Sequence, residues 1–509
     1  DKFNVFDGID TSWTRIEGGA AIGDILLQVE KDFDFRDPSK SVPQLVAASK
    51  LISQLENEHW RLQKLAEIKE IILACSGMFL EAVASEPSAS MDEQIKINLE
   101  AINRSSNDFV LKSARILPME QDFLIGHNLT NNEVFRQEQV VEIQNGLNET
   151  SPYWLEQQGS LGMYRVDRTE LIGSPLTQPP VKVEFVLGFE QGELHFIKDL
   201  IYKYNDPVRG EVYQPFEILP KFTSSIDSKV IIFNQKESRE IPVSVQAHAN
   251  EIQGNLSLNV PEGWTVEPSG IDIHLSKKGE EKTLLFHVTP TEYQSEGTIS
   301  SIITSEGMRF DKAINTIDYE HIPKQEVLLP SSSKVVRLNL IKKGRKIAYI
   351  QGAGDEVPKY LRQIGYEVTE LDPNEITTRS LKEYDALILG IRAYNTVDAL
   401  EQKQPVLLDY VKNGGNMIVQ YNTNHRLLVK ENLAPYPMEL SRDRITDENS
   451  PVKLLAKNHE ILNAPNKIDK NDFEGWVQER GLYFPDSWSS EFTPILSMSD
   501  PGKEPMNGS

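Results

Sequence analysis

Cysteine is almost absent from the sequence, which holds a single residue of this type, Cys75. One thiol cannot form an intrachain disulfide, and it cannot build a thiolate-rich metal site. No run approaches the roughly 18 apolar residues of a membrane-spanning helix, so no membrane span is predicted. The nine histidines are scattered, and no two have the i, i+4 spacing of a helical zinc site. The sequence therefore predicts no metal site in this chain.

Positive charge is scarce relative to negative charge. The chain has 53 Lys and Arg residues against 76 Asp and Glu residues, for a formal net charge of −23. Such a surface repels phosphate backbones, so no nucleic-acid partner is predicted. The main basic run, at 342–346, leads directly into an apolar strand and is interpreted as a solvated strand entry.

Familiar catalytic motifs are also missing. The sequence has no Gly-x-Ser-x-Gly nucleophile elbow. Gly352-x-Gly354 follows a predicted strand, but a dinucleotide-binding loop needs a third glycine where Val357 stands. Asp355 and Glu356 at the start of the next helix would repel phosphate. The two glycines are therefore interpreted first as residues of a tight strand-to-helix turn.

Length and local patterning divide the 509 residues into several units. Helical periodicity follows Pro43, period-two alternation dominates the middle, and strands alternate with helices near the end. The predicted fold class is multidomain α+β, with a helical hairpin, two antiparallel β-sandwich (immunoglobulin-like) units and a flavodoxin-like doubly wound α/β domain. The predicted units are an irregular connecting segment (1–40), the helical hairpin (41–88), a β-sandwich (89–221), an immunoglobulin-like β-sandwich (222–320), a linker (321–340) and the α/β domain (341–509), which we expect to be truncated.

The last unit holds the candidate binding site. Its apolar runs predict strands buried in a parallel sheet at 346–351, 384–391 and 416–421. In parallel sheets, ligands bind beyond the carboxyl ends of the strands. The loops that follow these runs hold the predicted ligand-binding residues, which are Gly352, Gly354, Arg392, Tyr394, Asn395, Tyr421, Asn422, Asn424 and His425.

Two alternatives stay open for these loops. The guanidinium of Arg392 would either form a structural ion pair with Asp385 or Glu383, or clamp the carboxylate of a ligand. The amides and the imidazole of 420–425 suit hydrogen bonding to a sugar or a nucleotide, but a polar loop that caps the next helix would look the same.

Five short motifs occur in a fixed order, and they are Gly8-Ile9-Asp10-Thr11-Ser12-Trp13, Asn103-Arg104-Ser105, Pro152-Tyr153-Trp154-Leu155, Asp206-Pro207-Val208-Arg209-Gly210-Glu211 and Gly390-Ile391-Arg392-Ala393-Tyr394-Asn395. Together they resemble the carboxyl-terminal region of multidomain PIG-L/LmbE-type deacetylases of Bacteroidetes-like bacteria, over essentially the whole chain. The 222–318 unit, with Pro261-Glu262-Gly263-Trp264, is similar to sandwich modules that accompany carbohydrate-active enzymes. The α/β unit resembles class I glutamine amidotransferase-like (ThuA-like) domains, but it lacks their elbow cysteine, which excludes glutamine hydrolysis.

The resemblance implies that the zinc-dependent domain, which deacetylates N-acetylglucosaminyl substrates, lies outside this chain, because its His-Pro-Asp-Asp-like motif is absent here. Zinc is then expected only in that missing domain, and no cofactor here. The chain is expected to be a non-catalytic, periplasmic or secreted accessory region that binds a glycan or amino-sugar conjugate, or positions its own amino-terminal deacetylase domain. The alternative is a hydrolase acting on a sugar or amide at the α/β strand ends through His425, Asp385 or Glu474. Glycan stacking would use Tyr153-Trp154 or Trp264 if exposed, although such rings are usually core residues.

Overall fold

β-Strands dominate the molecule. The computed structural model describes residues 6, 8–160, 162–190, 192–476 and 481–508. Strands account for 38% of the chain and helices for 19%, and the strands are distributed over many sheets. The predicted fold class, with its flavodoxin-like doubly wound domain, is therefore wrong, because this chain is mostly β.

Three α-helices precede the first sheet, and they lie at Ala20–Asp32 (α1), Val42–Ile52 (α2) and Glu58–Ser76 (α3). Asn57 caps α3 by accepting a hydrogen bond from a backbone N–H of its first turn at 3.2 Å, and Gly77 ends the helix in the left-handed conformation. α1 falls within 1–40, which we predicted as irregular, so that prediction is wrong. Gly23 of α1 packs against Trp13, where an added Cβ would lie 3.1 Å from the Trp13 Cβ.

The first β unit shares one core with these helices. Its strands are Phe79–Ala84 (β1), Ser88–Ala89 (β2), Gln94–Ile102 (β3), Phe109–Leu117 (β4), Gln121–Leu129 (β5), Val134–Glu142 (β6), Lys182–Phe189 (β7), Gly192–Asp206 (β8), Gly210–Pro215 (β9) and Glu217–Ile218 (β10). The main sheet has the order β5-β4-β7-β8-β1-β3-β6, and the long β8 also pairs with β9. Ile22 and Ile72 of the helices and Ile97 and Phe185 of the sheet lie in the same apolar cluster. β1 lies inside 41–88, the range that we predicted as a helical hairpin, so this range also contains a strand.

The second β unit is a β-sandwich of two sheets. Its strands are Phe222–Ile226 (β11), Val230–Phe233 (β12), Arg239–Ala247 (β13), Ile252–Asn259 (β14), Thr265–Glu267 (β15), Ile271–Leu275 (β16), Glu281–Thr289 (β17), Ser295–Ser305 (β18), Met308–Phe310 (β19), Lys312–Ile317 (β20), Gln325–Pro330 (β21) and Ser332–Arg337 (β22). One sheet has the order β11-β13-β17-β15 and the other β12-β22-β18-β14-β16. Alternate side chains of both sheets, among them Phe222, Val243 and Phe286, fill the core between them.

The segment 321–340 is not a linker. β21 pairs with β20 over six residues, and β22 pairs with both β12 and β18 inside the sandwich. Val335 of β22 is fully buried in the sandwich core. The proline and serines at 330–333 mark a turn between two strands, which explains why they were mistaken for a domain boundary.

A small parallel sheet follows the sandwich. Its strands are Lys346–Ile350 (β23), Glu367–Glu370 (β24), Ala386–Leu389 (β25) and Met417–Val419 (β26), and its helices are Val357–Gln363 (α4), Thr378–Leu381 (α5), Ala393–Thr396 (α6) and Ala399–Lys412 (α7). The strand order is β24-β23-β25-β26, and all pairs are parallel. The continuous apolar runs of β23 and β25 occupy the two central positions, as expected of strands covered on both faces.

Beyond β26, the described part of the chain has no further α-helix. It forms short strands at Met438–Leu440 (β27), Arg444–Ile445 (β28), Lys453–Leu454 (β29), Gly481–Leu482 (β30), Pro485–Trp488 (β31), Leu496–Met498 (β32) and Met506–Asn507 (β33). These strands pair antiparallel, β27 with β31, β28 with β30, and β32 with both β29 and β33. Alternation of strands and helices therefore stops after four parallel strands, which is a physical reason why the doubly wound prediction fails.

The sandwich holds the parallel-sheet unit at the carboxyl end of α4. The backbone carbonyl of Gln363 accepts a hydrogen bond from Arg239 Nη2 at 2.6 Å, and that of Ile364 accepts one from Asn234 Nδ2 at 3.2 Å. The Gln363 side chain returns a contact, because its Oε1 accepts from the backbone N–H of Ile232 at 2.9 Å. A cation at a helix carboxyl end satisfies free carbonyls and complements the helix dipole. We call this set of contacts the α4 clasp.

Candidate functional site

Glycines allow two loops at the carboxyl edge of the parallel sheet to approach each other. The backbone N–H of Ala353 donates to the carbonyl of Ile391 at 2.7 Å. A Cβ added to Gly352 would overlap that carbonyl oxygen, and a Cβ added to Gly390 would lie 2.8 Å from the Tyr349 hydroxyl oxygen. Gly354 has a φ of 108°, a backbone conformation that favours glycine. Gly352 and Gly354 therefore shape a tight strand-to-helix turn, which is the interpretation that we placed before a dinucleotide-binding loop.

A hydrogen-bonded carboxylate braces the same edge. Asp355 accepts hydrogen bonds from the Tyr349 hydroxyl at 2.6 and 2.7 Å, from the backbone N–H of Val357 at 2.9 Å and from that of Ile391 at 3.3 Å. Gln420 Nε2 donates to the Tyr349 hydroxyl oxygen at 3.0 Å. Burial and the neighbouring Asp355 carboxylate raise the pKa of Tyr349, so the phenol keeps its proton. These groups satisfy one another and join β23 to the strand-end loops.

The loops after β25 and β26 are tied together through backbone groups. The backbone N–H of Arg392 donates to the Tyr421 carbonyl, and that of Tyr394 donates to Asn422 Oδ1, both at 2.9 Å. Asn395 Nδ2 donates to the carbonyl of Thr423 at 3.1 Å and to that of His425 at 3.2 Å. The amides of Asn395 and Asn422 therefore fix one loop against the other.

Arg392 does not form the ion pair that we weighed. In the described residues no carboxylate lies within ion-pair distance of its guanidinium, and its Nε is buried without a hydrogen-bond partner. Asp385 lies at the opposite edge of the sheet and accepts from the backbone N–H groups of Arg345 and Lys346, at 2.7 and 2.9 Å. These hydrogen bonds lower the pKa of Asp385. Asn424 Oδ1 is likewise buried without a partner in the described part of the chain.

A cavity of about 560 Å³ opens beside β26. The rings of Tyr421 and Tyr483 form one part of its wall, stacked with their centroids 6.3 Å apart and their planes at 11°. The ring of His425 lies 6.3 Å from Tyr483 at 55°. The side chains that line the cavity carry no formal charge, and they are Tyr394, Val411, Met417, Val419, Gln420, Tyr421, Asn422, Leu433, Ala434, Pro435, Met438, Leu440, Leu482, Tyr483, Phe484, Pro485, Phe492 and Gly508. We call this space the aromatic cavity.

The structure places three of the nine predicted site residues in the wall of the aromatic cavity, namely Tyr394, Tyr421 and Asn422. Burial raises the pKa of Tyr394 to about 12, so this phenol also stays protonated. The other six lie near the same sheet edge but outside the wall, and they are Gly352, Gly354, Arg392, Asn395, Asn424 and His425. The predicted loops therefore meet, but the space that they border extends toward the carboxyl-terminal segment.

Sequence reasoning missed the part of the wall that the carboxyl-terminal segment contributes. Tyr483, Phe484 and Phe492 come from 481–492, a stretch without periodicity in which no site residue was predicted. The dense aromatic composition of 481–492 was the available signal, since aromatic rings are enriched in ligand pockets. Tyr483 has a φ of 56°, an uncommon conformation for a non-glycine residue that turns the chain at this wall.

The residues proposed for hydrolysis are not brought together. Asp385 lies at the amino end of β25, whereas His425 lies in a loop at the carboxyl edge, and Glu474 follows a short turn of helix in the carboxyl-terminal segment. Within the described residues, no group of three His, Cys, Asp or Glu side chains is arranged to hold a metal ion. A search of the described helices finds none with the length and apolar character of a membrane span.

Of the other aromatic candidates, Trp264 and Tyr153 are core residues, and Trp154 is half-buried and packs edge-on against Tyr153. Trp264 is 5% exposed, donates its indole N–H to Ser295 Oγ at 3.2 Å and packs edge-on against Phe233. Tyr153 is also buried, and its hydroxyl donates to the backbone carbonyl of Ser174 at 3.1 Å. Neither ring offers a face for stacking against a glycan.

Comparison with known proteins yields only distant structural similarity. No protein-family model and no curated protein matches the sequence. Among solved structures, the chain is similar to α2-macroglobulin of E. coli, with 12% identity and a TM-score of 0.17 over 51% of this chain. It is also similar to a Porphyromonas gingivalis protein of unknown function (9% identity, 51% of this chain and 98% of that one, TM-score 0.14) and to a C. elegans MSP family member (8%, 23% and 98%, TM-score 0.14). The chain spans only 16% of the length of the α2-macroglobulin.

Proposed function

We propose that this chain is a non-catalytic accessory region that binds glycan in the aromatic cavity. We further propose that it serves a zinc-dependent deacetylase domain of PIG-L/LmbE type, in the periplasm or outside the cell. The observation that carries the proposal is the pair of stacked rings, Tyr421 and Tyr483, in the wall of an uncharged cavity. The association with a deacetylase comes from the sequence motifs.

The chemistry of the wall suits a neutral sugar. Tyr421 is 40% exposed, so its ring can cover the C–H groups of a pyranose face. The hydroxyl groups of Tyr421 and Tyr483 and the Oε1 of Gln420 make no hydrogen bond within the described residues, so they can pair with sugar hydroxyl groups. A volume of about 560 Å³ lies within the range of small-ligand sites, roughly 300–1,000 Å³.

The absence of charge in this wall argues against two other ligand classes. A nucleotide or a carboxylate ligand would leave its negative charge without a counter-ion among the described lining residues. A neutral oligosaccharide such as an N-acetylglucosamine oligomer carries no such charge, and its amide and hydroxyl groups match the polar edge of the wall.

Titration calorimetry with N-acetylglucosamine oligomers tests this proposal. We expect binding to the wild-type chain, and a loss of affinity of roughly tenfold in Tyr421→Ala and in Tyr483→Ala, because each removes one ring-stacking contact of about 1.4 kcal/mol. Tyr293→Ala is the matched control, since Tyr293 is 76% exposed on the sandwich, away from the cavity. Equal affinity in all four proteins would contradict the assigned site, and acetate release by the pure chain would contradict the non-catalytic role.

A further inference from the structure

A second cavity, of about 530 Å³, lies between the first β unit and the sandwich. Its walls are rich in proline and in apolar side chains, including Pro152, Leu176, Pro179, Tyr213, Pro215 and Pro323. A smaller cavity of about 50 Å³ lies next to it and shares several lining residues, among them Pro215, Glu217 and Glu326. This interdomain cavity is separate from the aromatic cavity, with which it shares no lining residue.

Three carboxyl groups and two lysines lie in the wall of the interdomain cavity, and one pair of them, Lys182 and Asp199, is matched at 3.6 Å. Glu217 is 8% exposed and Glu326 is 9% exposed. Lys324 Nζ pairs with Glu326 Oε1 at 2.6 Å, and Glu326 Oε2 accepts from the Thr316 hydroxyl, also at 2.6 Å. Both oxygens of Glu326 are therefore engaged, and the charge of Lys324 is matched by Glu326.

Glu217 is the carboxyl group of this wall that has no ion-pair partner among the described residues. Its backbone is fixed, because its N–H donates to the Pro87 carbonyl at 3.1 Å and β10 pairs with β2. Its carboxyl group makes no ion pair within the described residues, and two influences favour its charge, the backbone N–H of Glu326 and the more distant charge of Lys324. Burial and the Glu326 carboxylate raise the pKa of Glu217 to about 8, so the group is protonated in the empty site at neutral pH.

We propose that the interdomain cavity binds a small primary ammonium compound with an apolar or ring-shaped body, with Glu217 as the counter-ion. The count of charges carries this inference, because three acids in the wall face two lysines, and a ligand ammonium would complete the set. The proline and aliphatic wall would contact the body of the ligand, and such a half-polar cavity is typical of small-ligand sites. On binding, Glu217 transfers its proton to the solvent and becomes the carboxylate that pairs with the ammonium group.

Cyclohexylammonium and cyclohexanol are suitable probes, because they have similar size and differ in charge. At pH 7 we expect cyclohexylammonium to bind at least tenfold more tightly than cyclohexanol to the whole chain. Calorimetry in two buffers of different ionisation enthalpy should show close to one proton released per bound ammonium ion. Equal affinity for the two probes, or binding of the amine without proton release, would overturn the proposal.

Two variants locate the site. Glu217→Gln keeps the shape of the side chain and should weaken cyclohexylammonium binding at least tenfold, and Leu176→Trp should block the cavity from its partly exposed side. Glu296→Gln is the matched control, because Glu296 is an exposed carboxylate on the sandwich. Unchanged amine binding in Glu217→Gln and Leu176→Trp would contradict the assignment. Because the glycan test uses a different cavity and different variants, the two proposals can fail independently.

Discussion

Replacing Glu217 with glutamine is expected to stabilise the protein at pH 8 and to leave its stability nearly unchanged at pH 4.5. The pKa of Glu217 is raised from its ordinary value of 4.5 to about 8 in the folded chain, because the carboxyl group is buried beside Glu326. Between these two pH values the unfolded chain ionises this group more readily than the folded chain does. Ionisation therefore favours unfolding, and the wild-type chain loses stability as the pH rises through this window.

The size of the effect on the free energy of unfolding follows from the pH range between the two pKa values of Glu217, 4.5 and about 8. Each pH unit between the two pKa values corresponds to about 1.4 kcal/mol, so at pH 7 the wild-type chain is less stable by roughly 3 kcal/mol than it would be without the ionisable group. Glutamine fills the same space and stays neutral at every pH. The gain in Glu217→Gln should therefore be close to zero at pH 4.5, roughly 3 kcal/mol at pH 7, and level off above pH 8.

Urea titrations of the wild-type and Glu217→Gln chains, carried out at several pH values, measure this difference in the free energy of unfolding. Circular dichroism follows the unfolding transition of the first β unit in each titration. Glu296→Gln provides the control, because its exposed carboxylate is screened by water and should show little pH-dependent difference. A Glu217→Gln chain that is less stable than wild type at pH 8, or a difference that does not change between pH 4.5 and pH 8, would refute the reasoning.

Three further substitutions test other parts of the structure. Arg239→Ala should lower the free energy of unfolding by about 2–4 kcal/mol and expose the junction at Gln363 to limited proteolysis, because it removes two charge-assisted hydrogen bonds, one to the Gln363 carbonyl in the α4 clasp and one to the Ile232 carbonyl. His248→Gln should be the less pH-sensitive chain in acid: burial lowers the pKa of His248 to about 4, so the wild type loses up to about 3 kcal/mol as the pH falls from 6.5 to 4. Gly352→Ala should cost about 1–3 kcal/mol in urea titrations, because its Cβ overlaps the Ile391 carbonyl oxygen.

Exposed residues of the same types serve as controls for two of these changes. Arg309→Ala removes an exposed guanidinium that pairs with Asp311, and His274→Gln removes a histidine that is 60% exposed. If Arg309→Ala destabilises the chain as much as Arg239→Ala, the α4 clasp contributes no more to stability than an exposed ion pair does. If His248→Gln and wild type lose stability equally between pH 6.5 and 4, the buried histidine does not govern acid sensitivity. A Gly352→Ala chain as stable as wild type would show that the loops can move apart.

Local patterns predicted those elements whose environment is uniform. The apolar runs at 346–351 and 384–391 correspond to β23 and β25, which lie in the centre of the parallel sheet. The alternation along 181–187 corresponds to β7. Elements that depend on distant partners were missed. α1 contains a glycine that only its packing against Trp13 explains, and the strands after β26 are two to four residues long, too short to show a period.

Local sequence patterns predicted one part of the candidate site and missed the part that depends on distant strand pairings. Tyr421 and Asn422 follow a recognisable strand, and the rule for parallel sheets places them at a ligand edge. Tyr483, whose ring stacks on that of Tyr421, reaches the site through the pairings of β28 with β30 and of β27 with β31, which no local sequence pattern predicts. Glu217 reads as an ordinary strand residue in the sequence, and its burial beside Glu326 arises from a contact more than 100 residues apart along the chain.

Binding of an N-acetylglucosamine oligomer to the purified chain is the measurement that tests the central claim most directly. Titration calorimetry of the wild type and Tyr483→Ala, with acetate release followed in the same samples, gives both affinity and activity. We expect saturable binding by the wild type, roughly tenfold weaker binding by Tyr483→Ala and no acetate. Binding that is absent from the wild type, or unaffected by the loss of the Tyr483 ring, would contradict the assignment of the aromatic cavity as a glycan site.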